Sequence, residues 1–254
     1  MNYDLITPVV YSHTEYSSVL QIQTDYTDNY MKRLLFINTP TSTEYDDIFS
    51  RYSSVHYYND TLPYASRVLS LLDNVHTEYV LFTHDIDILL YSDHDTLNKL
   101  LNVMVTHNLD RVDLKYWEFS SNNIYVDEQI TLIQQRNTSD YIYNVNPSIW
   151  KTRTLAEILH KFSDRNYRTI ESMDVQSYCT KFNVFKVHKS PMLKCGYFNC
   201  VDFYKFLHIS HSGKMLNLND SNVTEFGQSY EDVAHEYRHI VSKYNLQQSP
   251  LWRQ

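Results

Sequence analysis

The sequence predicts an α/β fold, with a central, mostly parallel sheet flanked by helices, in a single domain. Three observations carry this expectation. Through about residue 110, apolar runs of strand length alternate with segments of helical period, the order of a doubly wound sheet. Tyr79-Val-Leu-Phe-Thr83 is an unbroken run of five apolar or β-branched residues, which suits a central strand covered on both faces. No Pro/Gly/Ser-rich linker, internal repeat or low-complexity block divides the 254 residues, a length sufficient for one large core.

Taken in order, Leu5–Tyr11 is a first strand, and Ser12-His-Thr14 falls at its carboxyl end. Weak helical spacing runs to Tyr26, and Lys32–Asn38 is the second strand. The stretch from Thr39 to Asp60 is polar and loop-like, with Tyr45, Ile48 and Tyr52 spaced for one short helix. Pro63 opens the next helix in its favoured early position. Tyr64, Val68, Leu71, Leu72 and Val75 form its single apolar stripe, and spacing alone makes Arg67 an edge residue reaching solvent. After the strand at 79–83 comes a turn with Asp85 and Asp87, then a second apolar run, Ile88–Tyr91. Asp93 and Asp95 start a helix carrying Leu97, Leu100, Leu101 and Met104. Strands are expected at Arg111–Trp117, Ile130–Gln134 and Tyr141–Asn146, with Asn146-Pro147 breaking regular structure. Leu155, Ile158, Leu159 and Phe162 mark a short helix. Val175, Tyr178, Cys179 and Phe182 mark another, with Glu171 and Asp174 on one side of its start. Asn183–His188 and Asp202–Ile209 are late strands, and Val233, Tyr237, Ile240, Val241 and Tyr244 form a final amphipathic helix.

Composition removes several function classes. A net charge of −8 without a clustered Lys/Arg stripe argues against a nucleic-acid partner. With only Gly196, Gly213 and Gly227 in the chain, neither a Walker loop nor a Gly-x-Gly-x-x-Gly turn exists. Any bound diphosphate must therefore be held by something other than a glycine cradle. Three cysteines, Cys179, Cys195 and Cys200, contain no Cys-x-x-Cys pair, so reduced thiols are expected, with neither a disulfide framework nor a zinc site. No basic-plus-apolar leader and no run of membrane-spanning length is visible, so the expected location is cytoplasmic.

Two stretches carry chemistry. Asp85-Ile-Asp87 stands beyond the carboxyl end of a central strand, where ligands bind in open α/β sheets. Two carboxylates one residue apart can share a divalent cation, which can in turn hold a diphosphate. As ordinary loop residues they would only end the strand and cap the next element. Asp87 is expected to have an exposed carboxylate whose removal leaves packing intact. The second stretch, Phe206-Leu-His-Ile-Ser-His-Ser-Gly-Lys214, offers two imidazoles and a lysine just after a strand. Imidazole suits manganese, and lysine suits a departing diphosphate.

Together these segments resemble the GT-A-fold (Rossmann-like) glycosyltransferases, which move a sugar from a nucleotide-sugar donor. The His-Ser-Gly-Lys run is similar to the His-x-Gly…Lys segment of glycogenin-like enzymes. Tyr64 and Arg67 ahead of Asp-x-Asp, and Asn146-Pro-Ser-Ile-Trp-Lys151 after it, resemble small glycosyltransferases of bacteria and large DNA viruses. Where many of these show Trp-Glu or Glu-Asp at the acidic site, this chain has Ile170-Glu171 and Met173-Asp174.

The resemblance implies one domain over 1–254. A nucleotide-sugar-binding half spans 1–110, an acceptor half with the metal-binding late strand 111–227, and a C-terminal helix 228–254. It implies Mn2+ or Mg2+ bound by Asp87, with Asp85 touching the ribose or a metal-bound water. His208 or His211 completes the coordination, His211 slightly favoured by the Gly-Lys after it. Ser12, His13 and Tyr16 would border the base, Arg67 would reach the donor, and Lys214 would meet the leaving diphosphate. Glu171 or Asp174, the latter slightly favoured, would deprotonate the acceptor. The implied reaction moves a sugar from a nucleoside-diphosphate sugar to a hydroxyl of a glycan or protein-linked acceptor, in the host cytoplasm if the source is viral. The alternatives are a metal-dependent nucleotidyltransferase, which usually has a Gly-Ser turn before its acids, and a catalytically dead sugar- or nucleotide-binding module.

Overall fold

A computed structural model of the chain describes residues 1–27, 31–40, 45–115, 123–125, 130–138, 141–188, 203–211, 214–215 and 230–246. Its first half is the predicted alternation. β1 (Ile6–Tyr11), α1 (Ser17–Thr27), β2 (Leu34–Asn38), α2 (Asp46–Phe49), β3 (Ser54–Tyr58), α3 (Tyr64–Leu72) and β4 (Tyr79–His84) succeed one another. β5 (Asp87–Ser92), α4 (His94–Thr106) and β6 (Arg111–Asp113) come next. The rest comprises β7 (Asn123–Tyr125), β8 (Thr131–Gln134), β9 (Ser148–Lys151), α5 (Thr152–Lys161), α6 (Met173–Cys179), β10 (Val184–His188), β11 (Tyr204–His208), β12 (Ser210–His211), β13 (Lys214–Met215) and a C-terminal helix, Tyr230–Lys243.

Nine strands form one sheet in the order β3-β2-β1-β4-β9-β6-β10-β8-β7. β3, β2, β1 and β4 are mutually parallel, and β6, β10 and β7 run the same way, while β9 and β8 are reversed. Alternate residues of β4 enter different cores, as a doubly covered strand requires. Val80 and Phe82 join Tyr64, Val68, Leu71 and Leu72 of α3 and Leu155 and Ile158 of α5. Tyr79 and Leu81 join Leu97, Leu100, Leu101 and Met104 of α4. Each such fully buried side chain is worth about 1.5–3 kcal/mol relative to exposure. β5 leaves the main sheet to pair antiparallel with β11, and Ile88 and Leu207 pack there on α1 and on Tyr237, Ile240 and Val241 of the C-terminal helix. Among the described residues no helix is long and apolar enough to cross a membrane.

Three expectations are corrected. The stretch taken as loop with one helix contains β3, an edge strand whose Ser-Val-His-Tyr-Tyr is half-exposed and so lacks a hydrophobic signature. Tyr141–Asn146 is not a strand. It is irregular, with Tyr141 at φ 49°, and the strand in this region is β9, which comes after Pro147. The strand opening at Arg111 is described as Arg111–Asp113, and Tyr116 and Trp117 lie outside the described residues.

Candidate active site

The register of β1 on β4 sets Tyr11 opposite His84, so the residues just past both strands, Ser12 and Asp85, come together. Ser12 Oγ donates to Asp85 Oδ2 at 2.5 Å. The amide of Asp85 continues the ladder to the Tyr11 carbonyl at 3.0 Å, as the amide of Ser12 does to Phe36 at 2.8 Å. Burial pushes the Asp85 carboxyl up to about 7, against the hydrogen bond from Ser12 and the amides of Ile86 and His13.

Asp87 opens β5, and the β5–β11 register places it opposite His208. Asp87 Oδ1 and His208 Nδ1 are 2.7 Å apart. The Asp87 side chain is not exposed as expected. Only 5% of the residue is accessible, and its carbonyl is engaged by Gln23 Nε2 at 2.6 Å. Asp85 is equally buried. Of the two histidines, His208 is the one brought to Asp87. His211 pairs with Lys214 across the short β12–β13 ladder, and the side chains of both lie outside the described residues.

The remaining expected residues divide into those that face the acids and those that brace the rim. Tyr16 is half-buried, and its hydroxyl is pushed up by burial and then by the charge of Asp85. His13 caps the turn after β1, its Nδ1 accepting from the Glu15 amide at 3.1 Å, and its Nε2 lies 3.3 Å from Asp60 Oδ1. Arg67 does not simply reach solvent. Its Nε donates to the Leu62 carbonyl at 2.6 Å, its Nη2 to the Asp60 carbonyl, and its Nη1 is 3.4 Å from Asp60 Oδ1. Its guanidinium also lies 5.4 Å from the centre of the Tyr58 ring, so it ties the loop after β3 to α3.

Glu171 and Asp174 do not share one side of a helix, because α6 begins only at Met173 and Glu171 lies in the preceding turn. Glu171 points inward: its Oε1 accepts from the Val145 amide at 2.8 Å, and burial raises its carboxyl above the usual value. Asp174 is exposed and ion-paired with Arg165, and its carboxyl is held down by the hydroxyl of Ser172 first and by Arg165 as well.

Several side chains at this cleft escaped the sequence reading. His84, the last residue of β4, bonds Tyr64 Oη through Nε2 and the Val145 carbonyl through Nδ1, both at 3.0 Å. A carbonyl only accepts, so Nδ1 carries the proton and Nε2 accepts from Tyr64. Burial holds this imidazole down at about 4, hence neutral at pH 7. Tyr167, 42% exposed, sets its ring edge-on to Tyr64 and His84, and its hydroxyl is pushed up by burial and by the charges of Asp87, Glu171 and Asp85. Lys115 feels the charges of Asp113, Asp87 and Glu171, while burial lowers its ammonium. The one sequence signal for His84 was a lone histidine closing an apolar strand directly before Asp85.

The architecture is that of an α/β domain with a mostly parallel central sheet flanked by helices, similar to the GT-A and nucleotidyltransferase folds. The chain is similar to the solved structure of S. aureus TarS residues 1–349 in complex with UDP-GlcNAc, at a TM-score of 0.50 and 11% identity over 97% of this chain and 68% of that one. It is also similar to a cytidylyltransferase from Leptospira borgpetersenii (TM-score 0.45, 9% identity, 98% of each chain). A third similar structure is UDP-glucose pyrophosphorylase complexed with UDP-glucose (TM-score 0.43, 10% identity, 92% of this chain and 99% of that one). No family model and no curated protein matches the sequence. At such identities the TarS likeness speaks for the fold alone.

Proposed function

We propose that the protein is a glycosyltransferase that moves a sugar from a nucleoside-diphosphate sugar to a hydroxyl of a glycan or protein-linked acceptor. The observation that carries this reading is the meeting of Asp87 with His208 at 2.7 Å, beside Asp85 held by Ser12, beyond the carboxyl ends of β1 and β4. A topology that gathers two acids and an imidazole at that edge of a sheet suits a cation-held diphosphate.

The donor set fits manganese or magnesium. Among the described residues no group of three or more His, Cys, Asp and Glu side chains forms a cage for a metal. Magnesium at phosphate sites is commonly held by one or two carboxylates with substrate oxygens supplying the rest, so a full protein cage is not required. Asp87 and His208 would hold the ion, with Asp85 beside it. When bound, such an ion neutralises charge on the departing diphosphate.

Ser12 fixes the rotamer of Asp85, and the charge of Asp85 acts on the hydroxyls of Tyr16 and Tyr167. Lys214 carries over from the family resemblance as the group meeting the leaving diphosphate. In an inverting displacement, Glu171 takes the proton of the acceptor hydroxyl as that oxygen bonds to the anomeric carbon. The bond from that carbon to the diphosphate oxygen breaks, and the nucleoside diphosphate departs. Glu171 is favoured over Asp174 because it faces inward and its raised carboxyl is the better match for a general base, whereas Asp174 is engaged by Arg165 at the surface.

The test is a screen of UDP-, GDP- and dTDP-sugars with manganese, run beside nucleoside triphosphates mixed with sugar 1-phosphates. Release of a nucleoside diphosphate from one of the sugar donors is expected. Release of pyrophosphate from the second set would make the protein a nucleotidyltransferase, and turnover of neither would leave a binding module.

A further inference from the structure

We propose that His84 and Tyr64 are positioning residues that fix Glu171, through both backbone polar groups of Val145, relative to β4, the strand that leads directly into Asp85 and Asp87. The inference rests on the reading of Glu171 as the acceptor-activating base. The connection is continuous: Tyr64 Oη donates to His84 Nε2 at 3.0 Å, His84 Nδ1 to the Val145 carbonyl at 3.0 Å, and the Val145 amide to Glu171 Oε1 at 2.8 Å.

Such a device is needed because Val145 lies in an irregular segment. Residues 141–146 belong to no strand, and the backbone of 142–145 is held by side chains that reach in from neighbouring elements. Residues 142–144 are held by Arg111, which donates to the carbonyls of Ile142 and Asn144, and by Gln176, which bonds both the amide and the carbonyl of Tyr143. Those ties come from β6 and α6. Val145 is held by His84 of β4 and by Glu171, so His84 joins the strand that precedes Asp85 to the base.

The chemistry of the position agrees. His84 is 4% exposed, and burying an imidazole without partners costs more than burying an apolar side chain of equal volume. Its neighbours Phe82 and Tyr11 pack against the ring, which an apolar residue would also allow. What an apolar residue cannot do is grip the Val145 carbonyl. Tyr64 closes the other end: it fixes the ring's tautomer, so that the proton lies on Nδ1 and points at Val145.

Asparagine places its amide near the position of Nδ1, and glutamine places its amide near that of Nε2. The two substitutions therefore separate the two bonds. The readouts are amide hydrogen exchange at Val145, the affinity of the nucleoside diphosphate, and hydrolysis of the sugar donor identified by the screen. For His84→Gln, protection of Val145 should fall tenfold or more and hydrolysis should drop at least tenfold, with nucleotide affinity within twofold of the parent. His84→Asn should restore both to within about threefold, and Tyr64→Phe should lie between. Should His84→Gln unfold the protein, Tyr64→Phe alone must still loosen Val145. Unchanged Val145 protection in Tyr64→Phe and His84→Gln would overturn the inference. Loosened Val145 with undiminished hydrolysis in Glu171→Gln would instead overturn the assignment of the base, and with it the purpose of the positioning.

Discussion

Replacing Arg111 with methionine should remove about 3–5 kcal/mol of stability. Arg111 has no accessible surface, yet its guanidinium is among the most heavily used groups in the fold. It donates to the Ile142 carbonyl, to Asn144 Oδ1 at 2.5 Å and to Ser148 Oγ at 2.7 Å, lies 3.4 Å from Asp113 Oδ2, and sits 4.7 Å from the centre of the Trp150 ring. Methionine keeps most of the stem and its contact with Trp150 while deleting the charge and every donor. Asp113, also without accessible surface, would keep the Asn144 amide at 2.8 Å and the Lys115 backbone amide at 2.9 Å but lose the guanidinium. At this separation, with an effective dielectric constant near 20, the lost attraction is about 5 kcal/mol. Removing one partner of a buried pair typically costs about 3–5 kcal/mol. Against a total stability of about 5–15 kcal/mol, the variant should fold only marginally or not at all. Equilibrium urea unfolding followed by tryptophan fluorescence measures the loss. Adding Asp113→Asn should recover part of it, because the carboxylate that has lost its guanidinium is then neutral. A loss below about 1 kcal/mol for Arg111→Met, or a double variant weakened by the plain sum of the single changes, would refute the reasoning.

Further outcomes are expected at the base and at a helix cap. Glu171→Gln should lower transfer by roughly a hundredfold or more while sparing donor affinity, and Asp174→Asn should keep its rate; the reverse pattern would move the base to Asp174. Parental transfer should fall with pH through a value above the ordinary glutamate range, since burial raises the Glu171 carboxyl and the base works only when deprotonated. Asp93 accepts the amides of Asp95 and Thr96 at 3.0 and 3.4 Å and the Thr96 hydroxyl at 2.7 Å, so Asp93→Ala should cost about 1 kcal/mol. The Thr96 hydroxyl, first among its partners, holds this carboxyl below its unfolded value near 3.8. The cost should therefore be full at pH 7 and fade as acid protonates Asp93 in the folded protein, a change read from paired urea midpoints.

The parts of this fold legible in the sequence are those whose determinants are local. β4 announced itself by five consecutive buried residues, α3 by its stripe from Tyr64 to Leu72, and α4 by its Asp93 cap and the row from Leu97 to Met104. Tyr141–Asn146 was expected as a strand, in a stretch that opens Tyr-Ile-Tyr. The backbone of 142–145 is in fact held by Arg111, Gln176, His84 and Glu171, partners that no local pattern discloses. β3 was missed for the opposite reason, since an edge strand of half-exposed serine, histidine and tyrosine carries little apolar signal.

The site divides in the same way. Asp85 and Asp87 stand out because a short acidic motif comes directly after a recognisable strand. The choice of His208 as the partner of Asp87 depends on the β5–β11 register, with its irregularity between Lys205 and Phe206, and no spacing rule supplies that. Asp174 was slightly favoured over Glu171 while both were placed on one helix. The helix starts between them, leaving one turned in to the Val145 amide and one in solvent. His84 and Tyr64 were invisible as a pair, because the tyrosine was already accounted for by the apolar stripe of α3.

The most direct test of the donor site is titration calorimetry of UDP, GDP and dTDP, each with and without manganese, on the parent protein and on Asp87→Ala. At least one of these nucleotides should bind the parent only when manganese is present, and Asp87→Ala should lose that binding while its thermal unfolding stays cooperative. Manganese-dependent binding that persists unchanged in Asp87→Ala, or its absence from the parent for all three nucleotides, would contradict the assignment.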